Sequence, residues 1–177
     1  MAEKVIYSGC FGSLDSEVSV GPSDTSEVTL LEKTAMHGLV HETGAQVVAE
    51  FAGDFNTAAS TTDVNYKIYY GGAEVLEITN HSPPASSPND TFELKFWVTT
   101  RTQGAVSTVS AYGKVDYHDV TDASVTRFAA ASSSGVTAAT TSGEVAVKVT
   151  ATWADTVSDS DLDVQMGQFK IEGVGAP

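Results

Sequence analysis

The fold is decided by the stretch that reads Val64-Asn65-Tyr66-Lys67-Ile68-Tyr69-Tyr70, then Gly71-Gly72, then Ala73-Glu74-Val75-Leu76-Glu77-Ile78-Thr79. Aromatic and β-branched residues dominate the runs on either side of the two glycines, which is typical of β-strands. Gly71 and Gly72 tolerate positive φ, so together they favour a tight hairpin turn. Alternation puts Tyr66, Ile68 and Tyr70 on one face of the first strand and Tyr69 on the other. The stretch therefore predicts an antiparallel hairpin.

A third run, Thr91 to Thr99, carries the clearest period of two. One face holds only apolar residues, namely Phe92, Leu94, Phe96 and Val98. The other face is polar apart from Trp97, which the alternation directs away from the core. The run from Val145 to Trp153 alternates in the same way. Both runs predict strands with one buried face.

The rest of the chain gives weaker signals. We expect short strands at Val5–Tyr7 and Val18–Val20 around a turn-prone stretch, and a strand at 45–51. Residues 29–42 have weak helical character, residues 53–56 are predicted as a loop, and residues 121–142 as short strands and loops. Gly113 suggests a bulge or close packing within a long strand, and Gly167 marks a shift of phase in the last strand.

Eight to ten strands separated by turn signals predict an all-β protein. The expected architecture is an antiparallel β-sandwich, with the jelly roll as the best topology for this number of strands and this chain length. We divide the chain into an N-terminal arm or edge segment, residues 1–25, and a jelly-roll β-sandwich, residues 26–177.

The charge composition limits the classes of molecule that the chain is expected to bind. The 177 residues include 9 basic and 23 acidic side chains, which gives a formal charge of −14. Such a chain repels phosphate, so we expect it to bind neither nucleic acid nor an anionic membrane surface. The N-terminus lacks the apolar run of a signal peptide, so we expect synthesis in a cytosol.

The single cysteine, Cys10, has no partner for an intrachain disulfide. No basic neighbour or nucleophile motif accompanies it, so we expect a partly buried structural cysteine. The chain also lacks a nucleophile elbow, a phosphate-cradling loop and a dinucleotide fingerprint. We therefore expect no catalytic residues, no cofactor and no enzymatic activity.

Two clusters contain residue types that bind metal ions. Asp159, Asp161 and Asp163 alternate with other residues after Asp155, and Ca²⁺ prefers several oxygen ligands on one loop. The EF-hand pattern requires glycine at 164 and glutamate at 170, where the chain has valine and lysine, so a solvated acidic loop is the favoured interpretation.

The second cluster is a pair of histidines. His37 and His41 have helical metal-site spacing, but Gly38 stands where a metalloprotease needs glutamate. Polar loop histidines are therefore favoured, and we expect no metal requirement from either cluster.

The aromatic residues Tyr66, Tyr69, Tyr70 and Trp97 admit three interpretations. Loops pack both sides of the sandwich, or Tyr69 and Trp97 lie in a subunit interface, or they form a surface that stacks on carbohydrate. The sequence leaves the three open.

The N-terminal segment is a second candidate interface. It carries Val5, Ile6, Tyr7, Phe11 and Leu14 among turn-forming residues, without an evident core of its own. Such a segment gains stability by packing on another surface, either a sister subunit or a larger partner.

The strand pattern resembles a module found in tailed-bacteriophage structural proteins. The resemblance is carried by Asn65–Gly72, Val75–Thr79, Pro83-Pro84, Leu94–Thr99, Val145–Trp153 and Met166–Ile171. It implies a trimeric jelly roll on the virion, either a head decoration (cement) protein or part of a fibre or spike. It implies no catalytic residues. The chain lacks the long repetitive shaft and extended anchor of a typical fibre, which favours a compact protein seated on a capsid.

The resemblance thus leads to a functional expectation. We expect a non-enzymatic homotrimer on the outer capsid surface, made in the host cytoplasm, whose partners are itself and the major capsid protein. A receptor- or glycan-binding module of a tail fibre or spike is the alternative. A glycan-active enzyme is a third hypothesis, which requires a carboxylate pair in a cleft.

Overall fold

The computed structural model describes residues 5–22, 24–36, 43–58, 62–79, 81–86, 88–102, 106–119, 126–139, 144–156 and 160–175. This part of the chain forms eleven strands: β1 (Val5–Ser13), β2 (Val18–Val20), β3 (Val28–Met36), β4 (Gln46–Asn56), β5 (Val64–Tyr70), β6 (Ala73–Ile78), β7 (Asp90–Thr102), β8 (Val106–His118), β9 (Thr126–Ala139), β10 (Glu144–Trp153) and β11 (Asp161–Gly175). The all-β prediction is confirmed. Nowhere in these ranges is there a helix long and apolar enough to cross a membrane.

The strands form two antiparallel sheets. The large sheet has seven strands in the order β1-β11-β4-β7-β8-β9, with β2 also paired to β11. The small sheet has four strands in the order β3-β10-β5-β6. Without β2 and the β8–β9 hairpin, the sheets are β1-β11-β4-β7 and β3-β10-β5-β6, which is the strand arrangement of a jelly roll. The predicted topology is therefore correct, and the β8–β9 hairpin widens one sheet.

The β5–β6 hairpin forms as the sequence predicts. Gly71 and Gly72 have φ values of 58° and 79°, in the region that only glycine enters without strain. Along β5 buried and half-buried residues alternate strictly, with Tyr66, Ile68 and Tyr70 in the core. Since Tyr69 lies in the opposite phase, it faces outward on the small sheet.

The core lies between the two sheets and holds most of the large side chains. The inner face of β7 contributes the four predicted residues, each exposed by 1% or less: Phe92, Leu94, Phe96 and Val98. Two tyrosines connect the sheets, because the hydroxyls of Tyr66 on β5 and Tyr117 on β8 are 2.9 Å apart and fully buried. This polar contact joins the two sheets inside the core.

Gly113 allows close packing in the middle of the large sheet. A Cβ atom there would lie 2.5 Å from Cδ1 of Phe96 and 3.1 Å from Cδ2 of Leu76 on the facing sheet. The close packing predicted for Gly113 is confirmed. The register shift between β8 and β9 lies elsewhere, between Val109 and Ala111.

Three weak sequence signals were misinterpreted. Residues 29–36 belong to β3, since pairing along β10 overrides their weak helical propensity. Residues 53–56 continue β4, where Phe55 is fully buried. Residues 126–139 form one strand of 14 residues, because they pair with β8 along their length. Alanine and serine have little strand propensity, so the sequence did not indicate this strand.

The last strand shifts phase as predicted, but two residues earlier. The register with β4 slips between Val164 and Met166, so the extra residue is Gln165 and not Gly167. Leu162 and Val164 are therefore buried, whereas Met166 is 67% exposed.

The N-terminal residues form edge strands of the large sheet. The stretch predicted as a turn, Ser8 to Ser13, is part of β1 and pairs with β11. Cys10 is exposed, so the prediction of a partly buried cysteine is wrong. Val20 is fully buried, and its carbonyl accepts a hydrogen bond of 3.2 Å from Nε1 of Trp153.

Candidate functional site

The candidate site is on the outer face of the large sheet, where four strands bring polar residues into one row. The register places Gln168 of β11 beside Glu50 of β4, Glu50 beside Lys95 of β7, and Lys95 beside Lys114 of β8. Neighbouring strands are about 4.8 Å apart, so the row spans about 14 Å.

A groove of about 630 Å³ lies over this row. We call it the outer groove and define it by Glu50, Lys95, Trp97, Lys114, Met166 and Gln168, which are among the residues that line it. Leu14, just after β1, also lines it. Its volume is within the range of about 300–1,000 Å³ that is usual for ligand sites.

An aromatic pair stands at one end of the groove. Trp97 and Tyr112 are cross-strand neighbours, with ring centroids 5.4 Å apart and an angle of 37° between the rings. The Lys95 ammonium lies 5.0 Å from the centre of the Trp97 ring, within cation–π range. Tyr112 is 42% exposed and Met166 is 67% exposed, and both are on this face. The large sheet therefore presents apolar surface to solvent.

Glu50 is the electrostatic centre of the groove. Its carboxylate accepts hydrogen bonds from the ammonium groups of Lys170 and Lys95, and one of 3.2 Å from Nε2 of Gln168. The hydrogen bond from Lys170, followed by that from Lys95, holds the pKa of Glu50 below its ordinary value. Glu50 is therefore an ionised acceptor at neutral pH.

Tyr69 lies on the outer face of the small sheet. Its hydroxyl donates a hydrogen bond of 2.7 Å to Glu27, and Nζ of Lys148 lies 4.3 Å from its ring centre. Burial, followed by the bond to Glu27, raises the pKa of Tyr69 to about 12. Lys67 adds ion pairs of 3.2 and 3.1 Å to Glu27 and Glu74. Tyr69 and Trp97 thus occupy opposite outer faces of the sandwich, and one copy does not bring them together.

Two residues predicted for the N-terminal interface are described in full. Phe11 is half-buried and stacks on Phe169, with ring centroids 5.5 Å apart. Leu14 lines the outer groove, so it is near the same depression as Trp97. The side chains of Val5, Ile6 and Tyr7 lie outside the described residues, although their backbone belongs to β1.

Some of the candidate metal ligands also lie outside the residues that the structure describes, and others lie within them. His37, His41 and Asp159 lie outside the described residues. Asp161 accepts a hydrogen bond of 2.8 Å from Nδ2 of Asn56, and Asp163 is the strand neighbour of Asp54. In the part of the chain that the structure describes, no three His, Cys, Asp or Glu side chains converge to hold a metal ion.

Sequence reasoning missed most of the groove. The signal that points to Tyr112 is alternation along β8, whose inner face holds Val109, Ala111, Val115 and Tyr117. No sequence pattern indicates the ion pairs that Glu50 makes with Lys95 and Lys170. Glu50 and Lys170 are 120 residues apart in the chain and meet only because β4 and β11 are paired.

Comparison with known proteins gives similarities of fold alone. No family model matches the chain, and no curated protein matches it. The lectin-like defence protein arcelin-5 of Phaseolus vulgaris is 9% identical, with 97% of this chain and 100% of that chain covered and a TM-score of 0.40.

Two viral structures also align. The CBM2 module of the evolved Dit of Lactobacillus casei BL23 phage J-1 is 9% identical, covering 97% of this chain and 99% of that chain, with a TM-score of 0.39. A structure of infectious bursal disease virus, Gx strain, is 11% identical, with 99% of this chain but 33% of that chain covered and a TM-score of 0.36. Similarity this low carries no inference about function.

Proposed function

We propose that the protein is a non-enzymatic viral structural protein, a phage head decoration protein that binds the outer capsid surface as a homotrimer. The strand pattern that resembles phage structural modules motivates the proposal. The observation that carries it is the distribution of charge along the edges of the two sheets.

The two edges of the small sheet are charged. β3 carries Glu32 and Lys33, and β6 carries Glu74 and Glu77. Charged side chains on an edge strand prevent it from pairing with another molecule. These two edges therefore carry the usual protection against association.

The large sheet differs at both edges. β1, Val5–Ser13, contains no charged residue, and β9, Thr126–Ala139, contains only Arg127. Among the described strands, each of the two pairs on one side only. A cyclic trimer needs two different surfaces that fit each other on every copy. We infer that the β1 and β9 edges pair across copies, because that pairing hides both.

The carboxylate at the centre of the groove differs from a glycosidase acid. A glycosidase needs a carboxylic acid whose pKa is raised so that it donates a proton at working pH. The pKa of Glu50, the carboxylate between two lysines at the centre of the groove, is shifted in the opposite direction. Glu50 is suited to accepting hydrogen bonds.

Assembly is tested by light scattering on the purified protein at micromolar concentration. We expect three times the chain mass of 18.5 kDa. Ser132→Lys adds a charge at an exposed position of β9, and we expect it to dissociate the trimer. Thr29→Lys is the matched control, since it adds the same charge at an exposed position of β3. A monomeric wild-type protein, or equal behaviour of the two variants, contradicts the edge-paired trimer.

Capsid attachment is tested by binding to undecorated capsids. A variant that lacks residues 1–13 loses β1 and Phe11 but keeps the hydrogen bond between Val20 and Trp153. We expect this variant to stay folded by circular dichroism and to bind at least about tenfold more weakly, which is about 1.4 kcal/mol. Full-strength binding would place the attachment surface elsewhere.

The second candidate, a receptor-binding module of a tail, is favoured by the outer groove, which Trp97 lines beside the exposed Tyr112 ring. Cryo-reconstruction of the source virion separates the two hypotheses. Density over the capsid supports decoration, and density confined to the tail supports the alternative.

A further inference from the structure

We propose that the outer groove binds an uncharged oligosaccharide, with the Trp97 ring as its stacking surface. The inference goes beyond capsid decoration, since it assigns the protein a ligand of its own. It rests on the charge of the groove, on its donors and acceptors, and on the half-buried Trp97 ring that lines it.

Charge excludes most other ligand classes. Four charged residues line the groove, two of each sign: Glu50, Glu93, Lys95 and Lys114. The lining is therefore neutral in a chain whose formal charge is −14. A site for phosphate or another anion needs an excess of positive charge, and a cation site needs an excess of carboxylates. A neutral lining is suited to a neutral ligand.

The polar groups alternate in kind across the row. Glu50 already accepts three hydrogen bonds, and its carboxylate has capacity for about one more. Lys114 has N–H groups beyond the one that it donates to Asp116, and the amide oxygen of Gln168 is an acceptor. They stand on adjacent strands, over a row of about 14 Å. A saccharide hydroxyl both donates and accepts, so a chain of sugars can use the remaining donors and acceptors of this row, which an apolar peptide cannot.

The aromatic residue supplies the apolar half of the site. A pyranose ring has a face of C–H groups, which gains free energy by covering an aromatic ring, and tryptophan offers the largest such surface. Two contacts position the Trp97 ring: Nζ of Lys95 lies 5.0 Å from its centre, and the centroid of the Tyr112 ring lies 5.4 Å away. A ring that is already positioned loses little conformational entropy on binding. The groove thus combines a fixed apolar platform with a neutral polar row.

The two tryptophans make the proposal directly measurable. Trp97 is half-buried on the groove, whereas Trp153 is 1% exposed in the core. Acrylamide quenches the fluorescence of accessible tryptophan only, so a groove ligand protects Trp97 and leaves Trp153 unchanged.

The experiment titrates the intact protein with neutral oligosaccharides of glucose, galactose, mannose and xylose at millimolar concentration. We expect at least one series to protect Trp97 from quenching in a saturable manner. Calorimetry with that sugar should then show binding at least tenfold weaker for Trp97→Ala, with partial recovery for Trp97→Phe. Tyr69→Ala removes an aromatic residue from the opposite face, so its affinity should equal that of the wild type.

A second variant leaves the fluorescent reporter in place. Gln168→Ala removes an amide from the groove, and we expect several-fold weaker sugar binding with normal folding. The proposal is overturned if no neutral saccharide protects Trp97, if only charged polymers or peptides do, or if Trp97→Ala binds the sugar as well as the wild type. Capsid binding by Trp97→Ala is measured in parallel, so that failure of the sugar site and failure of decoration are distinguished.

Discussion

The buried hydroxyl pair between the sheets gives the sharpest prediction about stability. Tyr66 and Tyr117 are both fully buried, and their hydroxyl oxygens are 2.9 Å apart. Burial raises the pKa of both phenols, so both remain neutral throughout the physiological range. Replacing either residue by phenylalanine removes one oxygen atom and leaves the other hydroxyl without this partner.

The expected losses of stability differ between the single variants and the double variant. Leaving one buried polar group unsatisfied costs about 1–3 kcal/mol, whereas removing both partners is nearly neutral. Tyr66→Phe and Tyr117→Phe should each lower the free energy of unfolding by about 1–2 kcal/mol. The double variant should lose no more than the larger single loss. The coupling between the two positions is therefore expected to be about 1 kcal/mol or more.

Urea denaturation of the wild type, the two single variants and the double variant measures this double-mutant cycle. The slope against urea should be unchanged, so that differences in midpoint report stability alone. Each single variant should melt roughly 2–8 °C lower, since about 1 kcal/mol shifts the midpoint by roughly 2–4 °C in a chain of this size. Tyr112→Phe is the control, because Tyr112 is 42% exposed. Additive losses in the double variant would refute the reasoning.

Two further predictions concern packing and pH. Gly113→Ala should cost about 1–3 kcal/mol by overpacking against Phe96, while Gly9→Ala, with no atom within 4 Å of the added carbon, should be nearly neutral in the same melting assay. Equal costs would contradict the packing argument. The pKa of Glu50 lies below its ordinary value of 4.5 in the folded state, so its ion pairs stabilise the fold above that pH and are lost as the pH falls through the folded pKa. The stability difference between the wild type and Glu50→Gln should therefore be largest near neutral pH and vanish in acid, and a difference independent of pH would contradict it.

The alternation of apolar and polar residues correctly predicted the strands whose inner face is in the core. In β5 and in the middle of β7, apolar residues at every second position are the buried ones. β10 follows the same alternation except at Thr150, which is also buried. β9 gave no such signal, because its alanines and serines have little preference and its pairing with β8 decides its conformation. The sequence therefore predicted the core strands well and the widened edge of the sheet poorly.

The groove was less accessible to sequence reasoning than the fold. Alternation alone identified Trp97 as an outward residue. The convergence of Glu50, Lys95 and Lys170 depends on the order of three strands that are distant in the chain. The bulge at Gln165 also turns Met166 outward. The residue types around Gln165 do not indicate where this bulge lies. Register, rather than composition, builds this site.

The pairing of the first strand with the last has a consequence for engineering. Val5 is the direct strand neighbour of Gly175, and opposite residues in antiparallel strands are about 4.5–5.5 Å apart. Polypeptide fused before β1 and polypeptide fused after β11 therefore leave the domain at the same pole. Cargo attached at either terminus would be displayed side by side, and a short linker between residues 175 and 5 would close the chain for circular permutation.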